Sequence, residues 1–169
     1  MARRHGAPPR RRGGQQPVLA DLADNEPTAL TGPAAAEAEQ RISEFAHRTA
    51  LEGQVVTDEA RLKRIMARHD PKVYPGTFVT CVYNPDRALC RPRHRLGSGT
   101  TPELADCQPL ACRNTALTAD NRMALTEHAA ELGTALAHGD LLAPYVRHRL
   151  AEQHQQALAF LSRHSPEPT

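Results

Sequence analysis

The four cysteines of this chain lie in one proline-rich segment, and they constrain the fold more than any other feature. Residues 71–113 contain six prolines and three glycines together with Cys81, Cys90, Cys107 and Cys112. A loop of this length is uncommon inside a compact domain unless something holds it together. We therefore expect the cysteines to form a cross-link.

The spacing of the cysteines favours one metal ion held by four thiolates. The second pair is separated by four residues, so little chain has to close before both sulfurs can lie about 2.3 Å from a zinc ion. The first pair is separated by eight residues, so we expect a turn at residues 84–86 to fold Cys90 back beside its partner. His94 is the alternate ligand.

Zinc is the preferred ion on energetic grounds. A structural zinc ion contributes on the order of 10 to 16 kcal/mol to folding, whereas a disulfide contributes about 2 to 4 kcal/mol. Buried structural thiols, an iron–sulfur cluster and disulfides are the alternatives. Four protein ligands close the coordination sphere, which indicates a structural site rather than a catalytic one.

Helical patterns flank the cysteine segment on both sides. Thr118 is typical of an N-cap and Pro144 suits a first helical turn. Along that last helix the recurring apolar residues, predicted to pack, are Tyr145, Leu150, Leu158 and Leu161. The apolar spacing predicts helices over residues 34–53, 57–70, 118–137 and 144–163. We predict a mainly α fold in which helical pairs flank a metal-stabilised, loop-rich four-cysteine segment with at most a short strand, at residues 77–83.

Composition divides the chain into three parts. Residues 1–33 are basic and rich in proline and glycine, which predicts a disordered arm. Residues 34–163 form one helical domain containing the cysteine cluster (81–112), and residues 164–169 form a frayed tail. Neither a membrane-spanning run nor the apolar stretch of a signal peptide is present. We therefore expect a cytoplasmic protein without a membrane partner. Thiols stay reduced in the cytoplasm, which favours metal binding over disulfides.

Basic side chains cluster around the predicted metal site. Residues 61–95 contain nine basic and two acidic side chains, and arginine forks suit phosphate groups. The alternative is a solvated face that neutralises the acidic residues 15–60. The predicted DNA contacts are Arg61, Lys63, Arg64, Arg68, Arg87, Arg91, Arg93, Arg95 and Arg113.

Two blocks of the sequence resemble a known family. Residues 74–90 and 107–118 are similar to the cysteine-containing C-terminal region of integrase or recombinase-like proteins carried on actinobacterial mobile elements, and the resemblance covers about residues 40–163. It implies a role in DNA integration. Tyrosine recombinases combine an Arg and a His-x-x-Arg with a nucleophilic Tyr, and no His-x-x-Arg occurs here. Tyr145 therefore lacks catalytic partners, and the resemblance implies an accessory or remnant domain without strand-cleaving activity.

These observations predict a non-catalytic, zinc-stabilised DNA-binding accessory or remnant domain of a mobile-element integrase-like protein. No phosphate-binding loop, nucleophile elbow or His-Glu-x-x-His pair occurs, so we assign no catalytic residue and do not expect an enzyme. The competing hypothesis is a helical protein-interaction module whose zinc site is purely structural. A redox sensor carrying an iron–sulfur cluster is a third.

Overall fold

The computed structural model describes residues 30–51, 68, 70–90, 101–103, 105, 107–138 and 142–164. Within them the fold is mainly helical, as predicted, with a small antiparallel sheet. The elements are α1 (Ala35–Leu51), β1 (Val73–Pro75), β2 (Thr80–Val82), β3 (Thr115–Ala116), α2 (Ala119–Ala137) and α3 (Pro144–His164). No helix among these residues has the length and apolarity needed to cross a bilayer.

The sheet corrects the expectation of at most a short strand. Its three strands lie in the order β1-β2-β3, with Val73 opposite Val82 and Cys81 opposite Thr115. That expectation was wrong because β1 and β3 have only three and two residues. Strands so short show no alternation in the sequence, and their pairing depends on partners elsewhere in the fold.

A tight turn joins β1 to β2 and requires glycine at its first position. The Gly76 amide donates a hydrogen bond to the Val79 carbonyl oxygen at 3.0 Å. A Cβ atom at Gly76 would lie 2.8 Å from that same oxygen, which is closer than a carbon and an oxygen can pack. Any residue that carries a side chain would therefore force this turn to shift, whereas glycine fits it without rearrangement.

The sheet lies between α1 and the α2–α3 hairpin. Ala116 packs on one side with Ala34 and Ala38, and the next residue, Leu117, packs with Leu125 and Phe160 on the other. Successive residues of an extended segment point to opposite faces. One short strand thus connects two apolar clusters, and its position fixes α1 relative to the hairpin.

The segment before α1 is also packed on the sheet. Thr31 and Leu117 exchange backbone hydrogen bonds of 3.0 and 2.8 Å. Gly32 has a positive φ of 103°, and a Cβ there would lie 3.1 Å from the Thr115 oxygen. Residues 30–33, which the sequence places in the arm, are therefore held against β3, whereas residues 1–29 lie outside the described residues.

The helix starts confirm the predicted caps, but the buried face of α3 differs from the predicted one. Thr118 caps α2 and Pro144 opens α3. In α3, however, Tyr145 is 75% exposed and Leu158 is 47% exposed, while Ala157 and Phe160 are buried. The prediction that Tyr145 and Leu158 pack inside was wrong because the face of α3 that meets α2 carries Ala157, Phe160 and Leu161. The helix predicted over residues 57–70 lies outside the described residues except for Arg68, which is helical, and Asp70, which is not. Residues 165–169 of the predicted tail also lie outside them.

The buried side chain of Asn121 links α2 to the β1–β2 turn. Its Oδ1 accepts from the Thr118 amide at 3.2 Å and from the Thr80 hydroxyl at 3.0 Å. Its Nδ2 donates to the carbonyl oxygens of Gly76 and Thr77 at 2.7 and 3.1 Å. Asn121 thus completes a capping box and holds the neighbouring turn in place.

We expect Asn121→Ala to lower the free energy of unfolding by about 2 to 4 kcal/mol, because it removes a cap interaction and leaves buried polar groups unpaired. Chemical denaturation measures this loss. Thr126→Ala, at an exposed position of the same helix, is the matched control and should change stability by less than about 0.5 kcal/mol. Equal effects of the two substitutions would contradict the role given to Asn121.

Candidate metal site and arginine surface

The sheet positions two of the four cysteines. Cys81 is the central residue of β2 and lies between Tyr74 of β1 and Thr115 of β3. Cys112 precedes β3 by three residues, and the Asn114 carbonyl oxygen accepts a 2.7 Å hydrogen bond from the Val82 amide. The pairing of β2 with β3 therefore brings the chain around Cys112 alongside Cys81.

A turn brings Cys107 towards Cys112. The Ala111 amide donates to the Gln108 carbonyl oxygen at 3.2 Å, and the Cys112 amide donates to the Pro109 oxygen at 3.3 Å. The Thr115 hydroxyl also donates to the Pro109 oxygen, at 2.7 Å. These bonds reverse the chain between the two cysteines, as their short spacing predicts.

A second turn lies a few residues before Cys90, and it confirms the turn predicted at residues 84–86. The Asn84 side chain accepts from the Asp86 amide at 3.0 Å, and the Asn84 carbonyl oxygen accepts from the Arg87 amide at 3.2 Å. The Asn114 side chain donates to that carbonyl oxygen at 2.8 Å. Asparagine and proline favour such turns because they supply the required hydrogen bonds and backbone angles.

All four cysteines are free thiols that lie close enough to affect one another electrostatically. Burial, reinforced by the thiols of Cys112, Cys107 and Cys90, raises the pKa of Cys81 to about 12. The guanidinium of Arg41 acts in the opposite direction. Burial, with Cys90 and Cys112, also raises the pKa of Cys107. The fold therefore gathers the four cysteines of the proline-rich segment into one neighbourhood.

The gathered thiols do not form a ready-made coordination shell. Among the described residues, which include all four cysteines, no three His, Cys, Asp or Glu side chains are arranged to hold a metal ion. Cys90 is buried, Cys81 and Cys112 are half-buried, and Cys107 is exposed. Binding of one ion by all four would require the sulfurs to move closer together. His94 lies outside the described residues.

An acidic side chain that sequence reasoning missed fixes the Cys90 turn. Glu37 of α1 forms ion pairs with Arg41 and with Arg87, all three side chains being partly buried. Arg41 also donates to the carbonyl oxygen of Tyr83 at 3.0 Å. The spacing of Glu37 and Arg41 by four residues is a recognisable helical pair, but its extension to Arg87, fifty residues away, has no local signal.

The arginines predicted to contact DNA occupy different environments. Arg68 and Arg113 are exposed. Arg87 forms an ion pair with Glu37, and its buried Nε has no hydrogen-bond partner. The other predicted contacts lie outside the described residues: Arg61, Lys63, Arg64, Arg91, Arg93 and Arg95.

Comparisons with protein-family models, with curated proteins and with solved structures gave no match to this chain. The resemblance to integrase-like proteins therefore stays a prediction. The site has to be interpreted from its own residues.

We expect Glu37→Gln to lower the free energy of unfolding by about 2 kcal/mol, because it leaves two partly buried guanidinium groups without their carboxylate. Thermal or chemical unfolding measures the loss. Glu44→Gln on the same helix is the control, since its 3.9 Å pair with Arg48 is largely exposed and should contribute less than about 0.5 kcal/mol. A Glu37 variant as stable as the Glu44 variant would show that the ion pairs of Glu37 with Arg41 and Arg87 contribute nothing.

Proposed function

We propose that this chain is a non-catalytic DNA-binding module in which Cys81, Cys90, Cys107 and Cys112 hold one structural zinc ion. The observation that carries the proposal is that the other three cysteines lie near enough to Cys81 to raise the pKa of its thiol, with no disulfide among the four. Free thiols in this number suit a reducing compartment such as the cytoplasm. An accessory or remnant role in DNA integration is the biological setting that the proposal assigns.

Two features of the fold support the zinc site. The cysteines come from three separate places, one on β2 and two turns, each fixed by its own hydrogen bonds. The thiols oppose one another's ionisation when no cation is present, whereas a bound zinc ion favours the thiolate form of each ligand. The same neighbourhood that is unfavourable for isolated thiolates is therefore suited to a divalent cation.

The zinc site would present arginines to the DNA backbone. Arg91, Arg93 and Arg95 follow Cys90 within five residues, so coordination of Cys90 and Cys107 would close the sixteen residues between them into a loop. Arg113 is next to Cys112 and is exposed. These side chains would contact phosphates, which position a protein on DNA without specifying a base sequence.

We expect the purified, reduced protein to bind one zinc ion per chain and to unfold at a higher temperature when loaded. Metal analysis and thermal unfolding with and without zinc measure both effects. Cys107→Ser, which changes the most exposed ligand, should lower zinc affinity at least about tenfold. His94→Ala is the control and should keep one ion per chain; loss of zinc in that variant, or no zinc binding by the unmodified chain, would contradict the four-cysteine site.

We expect the affinity of the zinc-loaded protein for duplex DNA to fall as salt concentration rises, with a slope of about −0.9 in log affinity against log salt for each phosphate contact. Fluorescence anisotropy over a salt series measures this slope. Replacing Arg91, Arg93 and Arg95 together by Gln should make the slope shallower by about 2 to 3. The matched control replaces Arg147, Arg149 and Arg163 of α3 by Gln, which removes the same charge away from the site and should leave the slope nearly unchanged.

The competing function is a protein-interaction module in which the zinc ion only braces the fold. It is favoured by large apolar side chains that α2 and α3 leave exposed, namely Met123, Tyr145, Val146 and Leu158. In that case the zinc-loaded protein would show negligible DNA affinity at every salt concentration. The salt series therefore separates the two functions.

A further inference from the structure

Two partly buried arginines share a single carboxylate next to the cysteine segment. Oε1 of Glu37 accepts a hydrogen bond from Arg41, and Oε2 accepts one from Arg87. The three side chains are between 23% and 32% exposed. Arginine keeps its positive charge at neutral pH, so two guanidinium groups and one carboxylate together leave a surplus positive charge.

No second carboxylate in the described part of the chain balances that surplus. Glu37 is the only acidic side chain there that forms an ion pair with either arginine. Arg41 also donates through Nη1 to the carbonyl oxygens of Lys72 and Tyr83, at 3.4 and 3.0 Å. Carbonyl oxygens orient a guanidinium group but carry no net charge. A partly buried cation without an opposite charge is unfavourable, so this region is suited to an additional anionic group.

Arg87 keeps a hydrogen-bond donor free in the turn before Cys90. Its Nε is buried and has no partner, and its amide donates to the Asn84 carbonyl oxygen at 3.2 Å. The buried Cys90 follows three residues later. Hydrogen bonds from a charged donor to an anionic acceptor are stronger than those between neutral groups. A thiolate in this turn would therefore suit the free N–H of Arg87.

Arg41 acts on a second cysteine. Its positive charge favours the thiolate of Cys81 and so opposes the burial that raises the pKa of that thiol. The contact is consistent with the fold, because Tyr83, whose carbonyl oxygen Arg41 binds, is two residues from Cys81. One arginine thus lies near Cys81, and the other lies in the turn that leads to Cys90.

We propose that Arg41 and Arg87 are charge partners of the zinc site, balancing part of the negative charge that four zinc-bound thiolates carry. The inference rests on the proposed function, because only thiolates gathered around one divalent cation leave a net negative charge there. The surplus positive charge of the two arginines has no opposite charge in the metal-free chain and acquires one when zinc binds. Arg87 therefore acts on the metal site rather than on DNA.

Zinc titration of the full, reduced chain against a chromophoric chelator tests this inference, together with the absorption spectrum of the cobalt(II)-loaded chain. Arg87→Gln should lower the zinc affinity about tenfold to a hundredfold. It should also move the sulfur-to-cobalt charge-transfer band to longer wavelength, because a thiolate that loses a nearby positive charge gives up an electron more easily.

Two further variants separate charge from packing. Arg87→Lys keeps a positive charge and an N–H donor, so it should retain zinc affinity within about threefold of the unmodified chain and leave the band in place. Arg48→Gln is the matched control, since it removes a largely exposed guanidinium group from α1. It should change neither the affinity nor the band.

A pair of surface variants tests the charge balance without disturbing the ion pairs of Glu37. Leu89 is 50% exposed and directly precedes Cys90. Leu89→Glu adds a negative charge beside the site and should lower the zinc affinity at least about threefold. Leu89→Gln loses the same apolar side chain without adding charge and should leave the affinity unchanged.

The outcomes distinguish this inference from the proposed function. Zinc affinity and a cobalt band that Arg87→Gln leaves unchanged would overturn the charge partners but not the zinc site. Equal losses of affinity in Arg87→Gln and Arg87→Lys with an unmoved band would show a purely structural role and also overturn the inference. If Arg87→Gln does not fold, equal affinities of the two Leu89 variants would overturn it. Absence of metal binding by the unmodified chain would overturn both proposals.

Discussion

The fold depends on Asn121, one of four buried polar side chains in the small core of the described residues. Asn121 joins the start of α2, the hydroxyl of Thr80 on β2 and the β1–β2 turn through hydrogen bonds to both ends of its amide. Five of the fourteen buried apolar residues in the described part of the chain are alanines, and each alanine buries little area. Where apolar burial is modest, satisfied polar contacts decide how the helices sit on the sheet, because leaving them unpaired is costly.

The parts of the fold that sequence reasoning predicted are those with local causes. Thr118 and Pro144 mark helix starts because their effects involve only the first turn, and both mark observed helices. The exposed side of α3 was predicted wrongly because Tyr145 and Leu158 have the same apolar character as residues that pack. Which face turns inward was settled by Phe160 against α2, and that contact depends on the position of another helix.

The candidate site likewise has parts with local causes, which the sequence predicted, and parts that depend on distant residues. The turn at Asn84 was predictable because asparagine and proline define it within three residues. The approach of Cys112 to Cys81 depends on the pairing of β2 with β3. The strand predicted at residues 77–83 contains β2, but β3 has only two residues and is too short to be recognised in the sequence. The role of Glu37 was not predictable for a related reason, since its partner Arg87 is fifty residues away. The spacing predicted that the four cysteines lie near one another, whereas the sheet and the ion pairs of Glu37 position the segments that carry them.

The ion pairs of Glu37 stabilise the turn before Cys90, whereas the nearby thiols add no stability of their own. Glu37 fixes the turn before Cys90 to α1 whether or not a cation is present. The thiols, in contrast, disfavour one another's ionisation, so their proximity gives no stability by itself. A fold that only had to close this loop could have placed apolar side chains there. In the zinc-bound form that we propose, all four thiols would bind one divalent cation, and the ion pairs of Glu37 would supply in advance part of the order that such binding requires.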